Sequence, residues 1–145
     1  NNQVFLDIKA IILLVALMAI TNGTTYWFWG SGNRYEANAT GELYLLRAAS
    51  VYVNDVGAFE KKVRHVSHKL GIAPEWLMAV MYSESKFDAE AINLKGSGAT
   101  GLIQWMPTTA QDFGTTTQKL KKLSHIEQLD YVYAYLNRVK QKYRN

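Results

Sequence analysis

Pro74-Glu75-Trp76-Leu77-Met78-Ala79-Val80-Met81-Tyr82-Ser83-Glu84-Ser85-Lys86-Phe87 decides the fold, because it reads as one helix that ends in a glutamate. Pro74 suits the first helical position, where its missing N–H is no loss, and Glu75 complements the positive end of the helix dipole. Leu77, Val80, Met81 and Glu84 fall at i, i+3, i+4 and i+7, so the register that buries the three apolar side chains is expected to carry Glu84 inward as well. Beyond Phe87 the chain passes through a polar, glycine-bearing loop to Gly101-Leu102-Ile103-Gln104-Trp105-Met106-Pro107-Thr108-Thr109-Ala110.

A carboxylate on an apolar stripe has two readings. In one, the helix frays before Glu84 and the side chain turns into water, as most glutamates do. In the other, desolvation and the negative end of the helix dipole both disfavour the charged form, and Glu84 is a general acid suited to a glycosidic leaving oxygen. Gly96-Ser97-Gly98-Ala99-Thr100-Gly101 formally fits the Gly-x-Gly-x-x-Gly dinucleotide fingerprint. That motif needs a strand before it and a βαβ unit around it, whereas a helix precedes it here and no strand pattern is evident. The glycines fit better a backbone that turns closely around a sugar.

Glu84-Ser85-x-Phe87, Ala91 and Gly-x-Gly-Ala-x-Gly-Leu-Ile-Gln-Trp-Met-Pro-x-Thr-Ala from 96 to 110 resemble the catalytic core of soluble lytic transglycosylases, a goose-type-lysozyme-like family acting on peptidoglycan. The resemblance implies an all-α, lysozyme-like domain. It implies that Glu84 protonates the oxygen between N-acetylmuramic acid and N-acetylglucosamine. As a carboxylate it then takes the proton of the muramyl C6 hydroxyl, leaving a 1,6-anhydro end without water, metal or cofactor. Gln104 and Met106 match groove-lining positions of the family, with Ile103 in place of its first methionine. Ser85 matches the residue after the catalytic glutamate, Asn93 stands where many relatives have a substrate-contacting serine, and Gly101 belongs to the same sugar-binding loop. Asp88-Ala89 replaces a frequent Asn-Pro, and the 93–101 loop is slightly longer than usual. Family domains continue to an Ala-Tyr-Asn segment, and the sequence ends at Asn145. Either the chain is incomplete there, or a tyrosine among Tyr131, Tyr133 and Tyr135 substitutes, with Tyr133 the assigned position.

The 145 residues suffice for one small domain with a real core. No cysteine is present, which removes disulfides, thiolate metal sites and a cysteine nucleophile. A net charge of +4 favours approach to an anionic polymer. The basic residues are scattered over helices without a nucleic-acid motif, so peptidoglycan glycan strands are the expected partner and nucleic acid is not. Ala10 to Trp29 joins an apolar run to the aromatic group Tyr26-Trp27-Phe28-Trp29. Its length and aromatic end suit a membrane anchor, but the same run serves as a signal-peptide core or a buried helix. The expected organisation is an apolar segment over 1–30, a linker over 31–41 and a catalytic domain over 42–145. The expected location is a bacterial envelope, in the periplasm and membrane-anchored, or a virus particle.

Elsewhere the sequence predicts more helix. Phe59, Val63, Val66 and Leu70 repeat at threes and fours after Val56, with Asn54 or Asp55 to cap the start and Gly71 the end. His65 and His68 share that helix at a spacing that could hold a metal. No third ligand is evident, so they read as surface residues. Pro107 starts a short helix that Gly114 ends, and Thr115 to Thr117 read as a loop. Ser124-His125-Ile126-Glu127 is a capping box opening a final helix with Ile126, Leu129, Tyr133, Leu136, Val139 and Tyr143 on one face. Two rivals to transglycosylation are a hydrolytic muramidase with the same acid and a peptidoglycan-binding or envelope-assembly module without catalysis.

Overall fold

The computed structural model of the protein describes residues 41 and 43–142. The apolar 10–29 segment, residues 31–40 of the linker and Tyr143 therefore lie outside the described residues. No described helix is long and apolar enough to cross a membrane. The chain divides into two units, Glu42–Tyr135 and a second made of Asn1–Gly41 with Leu136–Asn145. The side-chain contacts around the candidate site lie within Glu42–Tyr135.

The described residues form six helices: α1 (Leu46–Ala49), α2 (Val56–Leu70), α3 (Pro74–Ser85), α4 (Pro107–Asp112), α5 (Thr117–Leu120) and α6 (His125–Lys142). Among them no strand forms, only isolated antiparallel bridges joining Ile92 to Thr100 and Thr100 to Trp105. The helical class expected from the sequence is what these residues adopt.

Helix α2 begins where the Asp55 carboxylate accepts the Ala58 N–H at 2.9 Å, satisfying one of the donors a helix start leaves open. It ends at Gly71, whose φ of 68° lets its N–H reach back to the carbonyls of Ser67 and His68. Phe59, Val63, Val66 and Leu70 are all buried, so the predicted stripe is the observed one. His65 and His68 are both exposed, as expected. A short turn then lets α3 fold back along α2. Phe59, near the start of α2, meets Phe87, just past the end of α3, edge to face at 6.2 Å between centroids.

Helix α3 starts at Pro74, as expected, but its buried face is not the predicted one. Leu77, Met78, Met81 and Ser85 are buried, while Val80 and Glu84 are half-buried. At about 100° per residue, bringing Met78 and Ser85 inward turns Val80 and Glu84 toward the flank. A similar shift occurs in α6: Gln128, Leu129, Val132 and Leu136 are buried, and Ile126 and Tyr133 stand half-exposed beside them. Residues 117–120, partly expected as loop, form α5 because the Thr116 hydroxyl accepts the Lys119 N–H at 3.2 Å.

The capping box of α6 forms as predicted. The Ser124 N–H donates to Glu127 Oε2 at 2.8 Å, the Ser124 hydroxyl to the same oxygen at 2.7 Å, and the Glu127 N–H to Ser124 Oγ at 3.3 Å. The hydrogen bonds from the Ser124 hydroxyl and N–H hold the Glu127 carboxyl below its ordinary value. A carboxyl depressed in the folded state contributes stability above its unfolded value and loses it as pH falls through the folded one. Glu127→Gln keeps the shape without the charge. The melting temperature of the parent is therefore expected to exceed that of the variant at neutral pH, with the gap closing as pH falls below about 4. An unchanged gap down to about pH 2 would mean that the box adds no pH-dependent stability.

Candidate active site

Glu84 occupies the last turn of α3, half-buried at the flank of the helix's buried face. The backbone just past it is strained. Lys86 and Phe87 both adopt left-handed backbone, with φ of 56° and 69°, a conformation that costs side-chain-bearing residues on the order of 1–2 kcal/mol each. Phe87 is held there by full burial against Phe59 and by Tyr82, whose ring lies 5.8 Å away. The helix therefore stops abruptly after Ser85 and does not fray before Glu84.

The loop of residues 86–106 folds back on itself through a small set of hydrogen bonds. Asp88 Oδ1 accepts the Glu90 N–H at 2.8 Å, closing a local turn. The Asn93 N–H donates to Ala99 O at 2.8 Å, the Gly101 N–H to Ala91 O at 2.9 Å, and Thr100 and Trp105 exchange both of their backbone bonds. Trp105 is buried against Ala110 and Leu120. Phe113, Tyr131 and Tyr135 ring it at 5.7, 6.3 and 5.5 Å between centroids. This aromatic base makes the far end of the loop rigid.

Several residues assigned to the sugar groove also hold the loop. Ser85 is buried, and its hydroxyl lies 3.1 Å from Met81 O and 3.0 Å from Leu102 O, so it ties the residue after Glu84 to the motif. Gln104, nearly buried at φ 54°, donates through Nε2 to Ala91 O and Gly101 O, each at 3.2 Å. Gly101, at φ 83°, faces the protein interior: a Cβ there would stand 2.6 Å from Gln128 Oε1. The Asn93 side chain accepts the Lys95 N–H at 2.8 Å, closing a turn within the loop. Met106 is half-buried at the start of α4, with the side chain closest in kind to a groove contact.

Tyr133 is in contact with α2. The Lys69 ammonium sits 4.2 Å from its ring centroid, at the end of α2 that adjoins Pro74. Glu84 is about 15 Å of helix away along α3. Tyr131 and Tyr135 are the tyrosines that pack on the motif, through Trp105.

Sequence reasoning missed Gln128. Its side chain is fully buried on α6, and its position at i, i+4, i+8 with Val132 and Leu136 is the signal that marks it as inward-facing. A cavity of about 400 Å³ is lined by Glu90, Ile92, Gln118, Lys121 and Lys122, and Glu84 is not among its walls. Among the described residues, no three His, Cys, Asp or Glu side chains group closely enough to hold a metal ion.

These elements make a helical domain with a half-buried glutamate at a helix end, next to a loop backed by aromatic rings. Residues 62–145, more than half of the chain, match the family model described as Transglycosylase SLT domain, and the chain belongs to that family. The general activity of the family is lytic transglycosylation of peptidoglycan. No solved structure matches the chain.

Proposed function

We propose that the protein cleaves the β-1,4 bond between N-acetylmuramic acid and N-acetylglucosamine in peptidoglycan, with Glu84 as acid and then as base. Glu84 donates its proton to the oxygen leaving with N-acetylglucosamine as the bond from that oxygen to the muramyl anomeric carbon breaks. The resulting carboxylate takes the proton of the muramyl C6 hydroxyl as that oxygen bonds to the anomeric carbon. The proton returns to Glu84, and no water is consumed. The observation that carries this reading is the family match spanning both Glu84 and the 96–110 motif, joined to the half-buried place of Glu84 at the end of α3.

The one-carboxylate scheme is favoured over the hydrolytic one by the state of the other two candidates. Two-carboxylate glycosidases need a second group to attack or to activate water. Asp88 is engaged in its own turn, and Glu90 is exposed on the wall of the Lys121–Lys122 cavity. Mass spectrometry of digested sacculi distinguishes the outcomes, because an anhydromuramyl product is lighter than a hydrolytic one by one water. Anhydro ends are expected throughout. Reducing muramic acid ends alone would make the protein a muramidase, and binding without digestion would make it an assembly or anchoring module.

The expected setting is the bacterial envelope or a virus particle that crosses it. Fractionation of cells making the full chain, with and without detergent, tests whether the 10–29 segment anchors it there.

A further inference from the structure

We infer that Gln128 is a positioning residue for the proposed reaction: it sets the 101–106 loop against the end of α3 without touching substrate. The Gln128 side chain is fully buried, and its amide makes three hydrogen bonds. Nε2 donates to Ala89 O at 2.7 Å and to Leu120 O at 2.8 Å, and Oε1 accepts the Leu102 N–H at 3.0 Å. Two carbonyls on one side and an N–H on the other fix which end of the amide is nitrogen. One side chain on α6 thus holds three stretches of chain: the loop just past Glu84, the start of the 101–106 motif and the end of α5.

The Leu102 peptide is the junction. Its N–H is held by Gln128, and its carbonyl lies 3.0 Å from the hydroxyl of Ser85, the residue after Glu84. A continuous strut therefore runs from Glu84 through Ser85 and the Leu102 peptide to Gln128. Gln104 and Met106 lie two and four residues beyond Leu102, so the distance between the acid and these loop residues depends on where Leu102 is held. Gly101 belongs to the same device: with no side chain it leaves room for the Gln128 amide.

The role of Gln128 rests on the proposed chemistry, and the test separates the two. In Gln128→Met, a side chain of similar length fills the space while all three hydrogen bonds are lost. The Leu102 amide, followed by hydrogen exchange, is expected to lose protection while the amides of α2 and α3 keep theirs. On peptidoglycan strands, kcat per folded molecule is expected to fall about a hundredfold, as for a displacement of about 1 Å, with KM changing less than about threefold. Gln128→Asn keeps the amide but is one methylene too short for all three partners. It is expected to fall between parent and Gln128→Met, and it serves in place of the Met variant if that does not fold. In Ser85→Ala combined with Gln128→Met, the loss in kcat is expected to be no larger than the greater single loss, since both changes break one strut. An exposed Leu102 amide with parental kcat would overturn the inference, as would activity lost only in proportion to unfolded protein. If the parent itself does not cleave peptidoglycan, the chemistry fails instead. The positioning role of Gln128 then stands or falls on Leu102 exchange, whose protection is expected to be lost in the variant.

Discussion

Glu84→Gln is expected to abolish digestion of purified sacculi, lowering the rate by roughly 10²–10⁴-fold, while the melting temperature stays near that of the parent. The amide is nearly isosteric and cannot deliver the acid proton. Because the same group is proposed to act first as acid and then as base, both steps are lost together and the upper part of that range applies. Glu84 is only half-buried, so its replacement removes little packing. Asp88→Asn and Glu90→Gln supply the contrast, since neither carboxylate is assigned to the chemistry, and both are expected to digest at close to the parental rate. Sacculi cleared by Glu84→Gln as fast as by the parent would remove Glu84 from the mechanism. A loss in Glu90→Gln comparable to that in Glu84→Gln would bring back a second carboxylate, and with it hydrolysis.

The starts of α2, α3 and α6 and the end of α2 were legible in the sequence because each rests on local chemistry, whereas α1 was not foreseen and Glu84, expected inward, lies at the flank. Pro74 fixes the start of α3, Asp55 and Gly71 bracket α2, and Ser124 with Glu127 opens α6. The stripe 59-63-66-70 needed only the 3.6-residue period. What the period does not settle is which of two adjacent stripes turns inward when apolar residues lie on both. In α3, Met78 competes with Val80, and in α6, Val132 competes with Tyr133. The tertiary partners decide each case. The roles within the motif were the least legible part. Ser85, Gly101 and Gln104 read as groove residues from resemblance; in the structure the polar atoms of Ser85 and Gln104 also hold backbone carbonyls of the loop, and Gly101 leaves room for the Gln128 amide. A buried glutamine from a helix far along the chain explains the glycine, and no local pattern around Gly101 points to it. Such long-range pairing is invisible to spacing.

Gly101→Ala is expected to be the most destabilising single-methyl change in the loop, and comparison with Gly96→Ala isolates the reason. Both glycines have positive φ, 83° and 86°, so each alanine carries a conformational cost of about 1–2 kcal/mol. At Gly96 a new Cβ meets nothing within 4 Å, and that cost is the whole effect. At Gly101 it would lie 2.6 Å from Gln128 Oε1 and 3.3 Å from Cδ, closer than carbon and oxygen approach without bonding. The amide cannot swing away freely, because doing so breaks its bonds to Ala89, Leu120 and Leu102. The overpacking adds roughly 1–3 kcal/mol, for a total of about 2–5 kcal/mol, a large share of the ~5–15 kcal/mol that stabilises a typical domain. Urea denaturation of the two variants measures the difference directly. Equal destabilisation would mean that the Gln128 amide yields without cost and that the glycine at 101 serves backbone conformation alone. A larger loss at 101, partly relieved when Gln128→Ala is added to make room, would show that the two residues are a matched pair.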